Sequence, residues 1–165
     1  MYQLRRDKHT IKSVKRINKT MNTTAKTRKF LIATHGKLAG GIKSSLDIIT
    51  GAVEGVFLIE AYIDENRSVE DDVKAVLNQL GENDELIAFT DLLGGSITNQ
   101  ILQHGLQKKV HVVSGFNLAL VIEILLADTD TPAEQVIAEA IDSAKQQMVY
   151  VNALLAAQTP EEEND

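Results

Sequence analysis

From residue 30 onward, short apolar runs alternate with stretches of helical period. Residues 30–34 (FLIAT) form a brief apolar run that breaks at a cluster of glycines, as a buried strand does before it turns into a helix. The pattern then predicts a helix over 39–50 with Ile42, Leu46 and Ile49 on one side, and a second strand over 55–63 (GVFLIEAYI) that ends at Asp64. Ser68 is placed as an N-cap, Val69, Val73, Val76, Leu77 and Leu80 recur at helical spacing, and Gly81 is the stop signal. A third strand is predicted over 85–90, leaving at Asp91. After Gly94, Gly95 and Ser96, a helix is expected to carry Ile97, Ile101 and Leu102 inward. Residues 110–114 read as a fourth strand.

The remainder is mainly helical: one helix over 118–127, then another opening with Thr131 as N-cap, Pro132 at the first helical position and Glu134 closing a capping box, with periodicity running past Ala144. Residues 148–152 (MVYVN) are rich in strand formers and suit either a short strand or a continued helix. Four strands alternating with helices define an α/β domain of parallel βαβ units with right-handed crossovers and helices on both faces of the sheet. Such sheets bind ligands outside the carboxyl ends of their strands. The chemistry is therefore sought at His35-Gly36, Asp64, residues 91–96 and residues 115–117.

Composition narrows this picture. The length of 165 residues suits one domain, and a 44% hydrophobic fraction suits a packed core. Only 4% of residues are aromatic and none is Trp, which argues against a base-stacking platform; the absence of Cys excludes disulfides and thiolate chemistry. No apolar run approaches the roughly 18 residues of a membrane span, and the N-terminus lacks a secretory apolar stretch, so a soluble chain is expected.

The net charge of −6 hides a division: residues 1–29 hold ten Lys/Arg and one acid, and the rest holds seven against 22. A basic arm can bind phosphate backbones. This one has no apolar periodicity and contains Met21, so an upstream translation start, a disordered leader or a non-native leader is the simpler reading, and nucleic acid is not expected as a partner. The expected layout is an arm over 1–29, a domain over 30–158 and an acidic tail over 159–165.

His35 follows an apolar strand directly and precedes Gly36, so its imidazole is expected at the rim of the sheet, within reach of a macromolecule; a structural histidine or a cap would look the same in sequence. Asp91 ends another strand. It can accept a hydrogen bond from one imidazole nitrogen and leave the other as nucleophile, or it can serve only its turn. Gly94, Gly95 and Ser96 offer backbone N–H groups and a hydroxyl at a helix N-terminus, which suits a phosphoryl oxyanion, though a plain glycine turn has the same composition.

Two phosphate motifs fail. Gly36 and Gly41 have P-loop spacing, but Ile42 stands where the lysine belongs, and no G-x-G-x-x-G follows a strand. His9, His104 and His111 have no ligand-spaced partner that argues for a metal, and no cofactor is expected.

FLIATHG at 30–36, FTDLLGGSITN at 89–99 and SGFN at 114–117 resemble the mannose-family enzyme IIA component of the sugar phosphotransferase system, over about residues 30–152. The resemblance implies a cytoplasmic phosphocarrier that accepts phosphate from the histidine-containing phosphocarrier HPr and donates it to a separate IIB component. Contact with the membrane would be only indirect, through the IIC and IID permease components. Carried onto this chain, it makes His35 the phosphorylated residue, Asp91 its orienting carboxylate, and Gly94, Gly95, Ser96 and Thr34 the phosphoryl pocket. It also implies a sheet of order 2-1-3-4 and a homodimer, with residues 148–152 as a candidate antiparallel strand exchanged between protomers. Leu93 stands where some members carry an aromatic residue, which bears on the shape of the rim. A similarly folded phosphocarrier serving dihydroxyacetone kinase is the alternative, against which the D-x-x-G-G-S run at 91–96 speaks; a non-catalytic module of the same fold is a third.

Overall fold

The computed structural model of the protein describes residues 27–106 and 108–158. Most of the basic arm, His9 within it, and the acidic tail lie outside the described residues. The chain alternates β1 (Thr27–His35), α1 (Leu38–Thr50), β2 (Val56–Ala61), α2 (Val69–Leu77), β3 (Asp84–Thr90), α3 (Ser96–Gly105) and β4 (Val110–Ser114). Three helices follow: α4 (Leu118–Leu126), α5 (Ala133–Gln146) and α6 (Val151–Gln158). The four strands form one sheet, parallel as the alternation implies, in the order β2-β1-β3-β4 that the family resemblance implies.

Alternate residues of the central strands feed two cores because successive side chains of a strand point to opposite faces. Phe30, Ile32, Ile87 and Phe89 pack with α1, α4 and α5; Leu31, Ala33, Leu86 and Ala88 pack with α2 and α3. Both faces being covered, β1 and β3 read as continuous apolar runs rather than alternating ones. Chain reversal between β1 and β3 creates the switch point: β1 connects outward to β2 on one side, and the chain then returns to place β3 on the other.

The helix predictions hold in type and differ in detail. Val69, Val73, Val76 and Leu77 are buried as the spacing requires, and Leu80 is buried beyond the helix end. Ile49 and Leu102 are exposed instead of inward-facing. Each follows a buried residue, Leu46 and Ile101, by a step that turns it about 60–100° off the buried stripe at 3.6 residues per turn. The capping box does not form: α5 begins at Ala133 with Pro132 in the cap position and no side-chain cap. Residues 148–150 adopt no regular structure, and Val151 and Asn152 open α6, so this chain taken singly shows no strand over 148–152.

The domain starts earlier than polarity suggested. Arg28 belongs to β1 and is buried, its Nε and Nη2 each donating to Glu85 Oε2 at 3.3 Å while Nη1 and Nη2 donate to the Asp128 and Thr131 carbonyls at 3.3 and 2.7 Å. A buried charge is tolerated only when paired and fully hydrogen-bonded, and the guanidinium fork meets three acceptors at once. Arg28→Lys keeps the charge but cannot span these acceptors. It is expected to lower unfolding stability by about 1–2 kcal/mol, seen as a lower urea midpoint at unchanged m value.

Candidate active site

His35 is the last residue of β1, and Asp91 is the first residue past β3, so the adjacency of these two strands brings their carboxyl ends together. One carboxylate oxygen of Asp91, Oδ2, accepts from the His35 backbone N–H at 2.8 Å and lies 2.9 Å from Nδ1; Oδ1 lies 3.1 Å from Nδ1. A carboxylate is an acceptor, so Nδ1 carries the hydrogen in this pairing and Nε2 is left with its lone pair. The imidazole is accessible, with 42% of the side chain exposed, whereas the Asp91 side chain is 15% exposed.

Burial opposes ionisation of Asp91, but hydrogen bonds from the His35 backbone N–H and imidazole, with the imidazole's charge when protonated, outweigh it and hold the carboxyl below its ordinary value of 3.8. The sign follows from linkage. A depressed folded-state value contributes stability that is fully present above 3.8 and lost as pH falls through the lower folded value. The stability advantage of the wild type over Asp91→Asn is therefore expected to shrink on acidification below about pH 4, measurable by urea unfolding across a pH series.

Beside the imidazole lies the N-terminus of α3. A Cβ placed on Gly95 would stand 4.0 Å from His35 Cε1, so this glycine borders the ring edge between the two nitrogens. The turn leading in requires Gly94 at φ +72°, a left-handed conformation that costs other residues strain. Thr98 secures the turn: its hydroxyl donates to the Leu92 carbonyl at 3.1 Å and shares a hydrogen bond with the Thr90 hydroxyl at 2.9 Å. The first N–H groups of a helix have no intrahelical partner, and the Gly95 cap position supplies no side-chain substitute. A helix start of this kind attracts an anion.

The start of α1 differs. Thr34 is fully buried, and its hydroxyl accepts from the Ala39 N–H at 2.8 Å, while Glu60 accepts from the Gly40 N–H at 3.2 Å. Thr34 thus serves as an internal cap for α1 and does not reach the exposed face of His35, which corrects its placement in the phosphoryl pocket. The hydroxyl at a strand end looks alike in sequence whether it points outward or under the sheet.

His35, Asp91, Gly95 and Ser96 are brought together as expected, and Tyr62 joins them unannounced. Its ring stacks on His35 with centroids 5.4 Å apart and 25° between planes, and its hydroxyl shares a hydrogen bond with the Ser96 hydroxyl. The sequence pattern places Tyr62 inside the strand predicted over 55–63; the strand ends at Ala61 instead, which leaves Tyr62 as the first residue past it on the ligand-binding edge. His104 and His111 lie elsewhere, paired with Glu70 at 3.3 Å and Glu85 at 3.4 Å. Among the described residues no helix is long and apolar enough to cross a membrane.

Fold and site together define a doubly wound α/β domain with a histidine–aspartate pair at its switch point. A family model for the PTS system fructose IIA component matches residues 29–142, and the chain belongs to this family, the mannose-type IIA components of the sugar phosphotransferase system. Its fold matches a phosphoenolpyruvate-dependent sugar phosphotransferase system permease from Klebsiella pneumoniae at a TM-score of 0.75 and 29% identity, covering 82% of this chain and 98% of that one. It is also similar to phosphotransferase system component EIIA from Streptococcus agalactiae (TM-score 0.68, 29% identity, 77% and 99% covered). A third likeness is to the PTS IIA protein associated with the fucose utilization operon of Streptococcus pneumoniae (0.66, 26%, 78% and 96%).

Proposed function

We propose that this chain is the phosphocarrier of a mannose-family sugar phosphotransferase system, taking a phosphoryl group from phospho-HPr on Nε2 of His35 and passing it to a separate IIB component. The observation that carries the reading is the double grip of Asp91 on the His35 N–H and Nδ1, which leaves Nε2 unengaged by Asp91 on an accessible ring. In the forward step the Nε2 lone pair attacks phosphorus as the phosphorus–nitrogen bond to the donor histidine breaks, so one phosphoramidate is exchanged for another. Such transfer asks for in-line positioning and charge stabilisation rather than covalent chemistry from other residues. The N–H groups at the start of α3, with the Ser96 hydroxyl, supply that stabilisation.

Exposed Leu38 at the start of α1, and Tyr62, Ile63, Leu92 and Leu93 on the loops past β2 and β3, follow the carboxyl ends of the strands, and they suit a protein donor better than a small molecule. The exposed apolar side chains of Met148, Val149, Tyr150, Val151 and Leu154, together with the outer edge of β4, support a homodimer in which this segment finds its cover. Light scattering reads that state directly, a monomer at micromolar concentration removing the dimer.

The test of the carrier role is incubation with phosphoenolpyruvate, enzyme I and HPr, followed by addition of a stand-alone IIB protein. Acid-labile label on this chain that then moves to IIB is expected. No label, or label that IIB cannot remove, rejects the reading.

A further inference from the structure

Tyr62 combines three features that ordinary loop packing does not explain. It is a bulky aromatic residue at φ +64°, in the left-handed region that such residues avoid. The residue is 60% exposed, so burial in a core is not what holds it there. Its ring and its hydroxyl each meet a different member of the candidate site, His35 by stacking and Ser96 by a hydrogen bond. Residues kept in such a backbone conformation persist where the surroundings over-determine them, and they cluster where the conformation serves the chemistry. Here the backbone is tied from the neighbouring turn, since the Gly36 N–H donates to the Ala61 carbonyl at 2.9 Å, linking the exit of β2 to the exit of β1.

We propose that Tyr62 is a positioning residue, one that locks the plane of the His35 imidazole and the direction of the Ser96 hydroxyl so that both face the same incoming phosphoryl group. The proposal rests on the reading of His35 as the acceptor. Asp91 alone is an incomplete constraint. A hydrogen bond to one ring atom leaves the imidazole free to rock about that bond, and a stacked partner 5.4 Å away at 25° removes this motion. The two restraints act at different places, Asp91 on the Nδ1 edge and Tyr62 on one face, and the Nε2 edge and the opposite face remain for the donor. Through Ser96, the same side chain also couples the ring to the start of α3, where the phosphoryl oxygens are to be held.

The test compares Tyr62→Gly, Tyr62→Ala and Tyr62→Phe in three measurements: rapid-quench transfer from phospho-HPr, nitrogen-15 NMR of the His35 ring, and thermal unfolding. Tyr62→Gly relieves the left-handed strain and is expected to keep or raise Tm while slowing transfer about 10- to 100-fold, the size of effect that a small misplacement of a reacting group produces. Tyr62→Ala behaves likewise in transfer. Tyr62→Phe keeps the stack and recovers most of the rate, its remaining deficit reporting the Ser96 link. In NMR, the wild type shows one ordered Nδ1–H form, and Tyr62→Gly shows averaged ring signals. Wild-type transfer by Tyr62→Gly overturns the proposal, as does a rate loss that tracks a fall in Tm equally in all three variants. If the wild type takes no phosphoryl group, the acceptor reading fails by itself, and the NMR comparison still decides whether Tyr62 orders the ring.

Discussion

His35→Ala is expected to abolish labelling from phospho-HPr completely, with the fold intact. No other described histidine can take over: His104 and His111 are each paired with a carboxylate, Glu70 and Glu85, and the side chain of each is only 20% exposed against 42% for His35. The cost in stability is small because the imidazole is exposed and Asp91 keeps the bond from the residue 35 backbone N–H, so a change within about 1 kcal/mol is expected. Circular dichroism and urea unfolding confirm the fold, and the labelling experiment reads the function. Persistent acid-labile label on the variant would place the acceptor elsewhere and refute the assignment of His35.

Asp91→Asn is expected to keep the acceptor and slow the transfer by about 100- to 1000-fold, equivalent to about 2.7–4 kcal/mol in the barrier. The carboxylate accepts from both the backbone N–H and Nδ1. An asparagine side chain has one acceptor and one donor group. If its oxygen takes the backbone N–H, its NH2 group faces Nδ1 and favours the tautomer with hydrogen on Nε2, which removes the nucleophilic lone pair. The variant therefore reaches full labelling, slowly. Rapid-quench kinetics give the rate, and nitrogen-15 NMR of the ring reports the tautomer. A wild-type rate with an unchanged tautomer would show that Asp91 serves its turn and nothing more.

Strand and helix order, and with them the edge where the chemistry lies, were legible because burial on both sheet faces leaves unbroken apolar runs, and parallel crossovers admit few topologies. That reasoning placed His35 and Asp91 at strand ends 56 residues apart, and the recognisable motifs around them pointed to one family. Residues whose meaning depends on direction were less legible. Thr34 sits between Ala33 and His35, and whether its hydroxyl turns toward solvent or under the sheet is settled by the α1 amide that it caps. Arg28 looks like part of a basic arm until Glu85 and two carbonyls converge on it from 57, 100 and 103 residues away.

Linear order thus carries the periodicities of burial and the glycines that backbone geometry demands, since both act over a few neighbouring residues. Which Asp91 oxygen faces which nitrogen, the stacking of Tyr62 on His35, and the burial of Arg28 belong to the folded chain. Each is a contact between side chains brought together by sheet register, and local preference holds no record of a partner half the chain away. Residues 148–152 mark the same boundary from the other side: their strand-forming composition is plain, yet a strand needs an edge to pair with, and in a single chain Val151 and Asn152 settle into a helix instead.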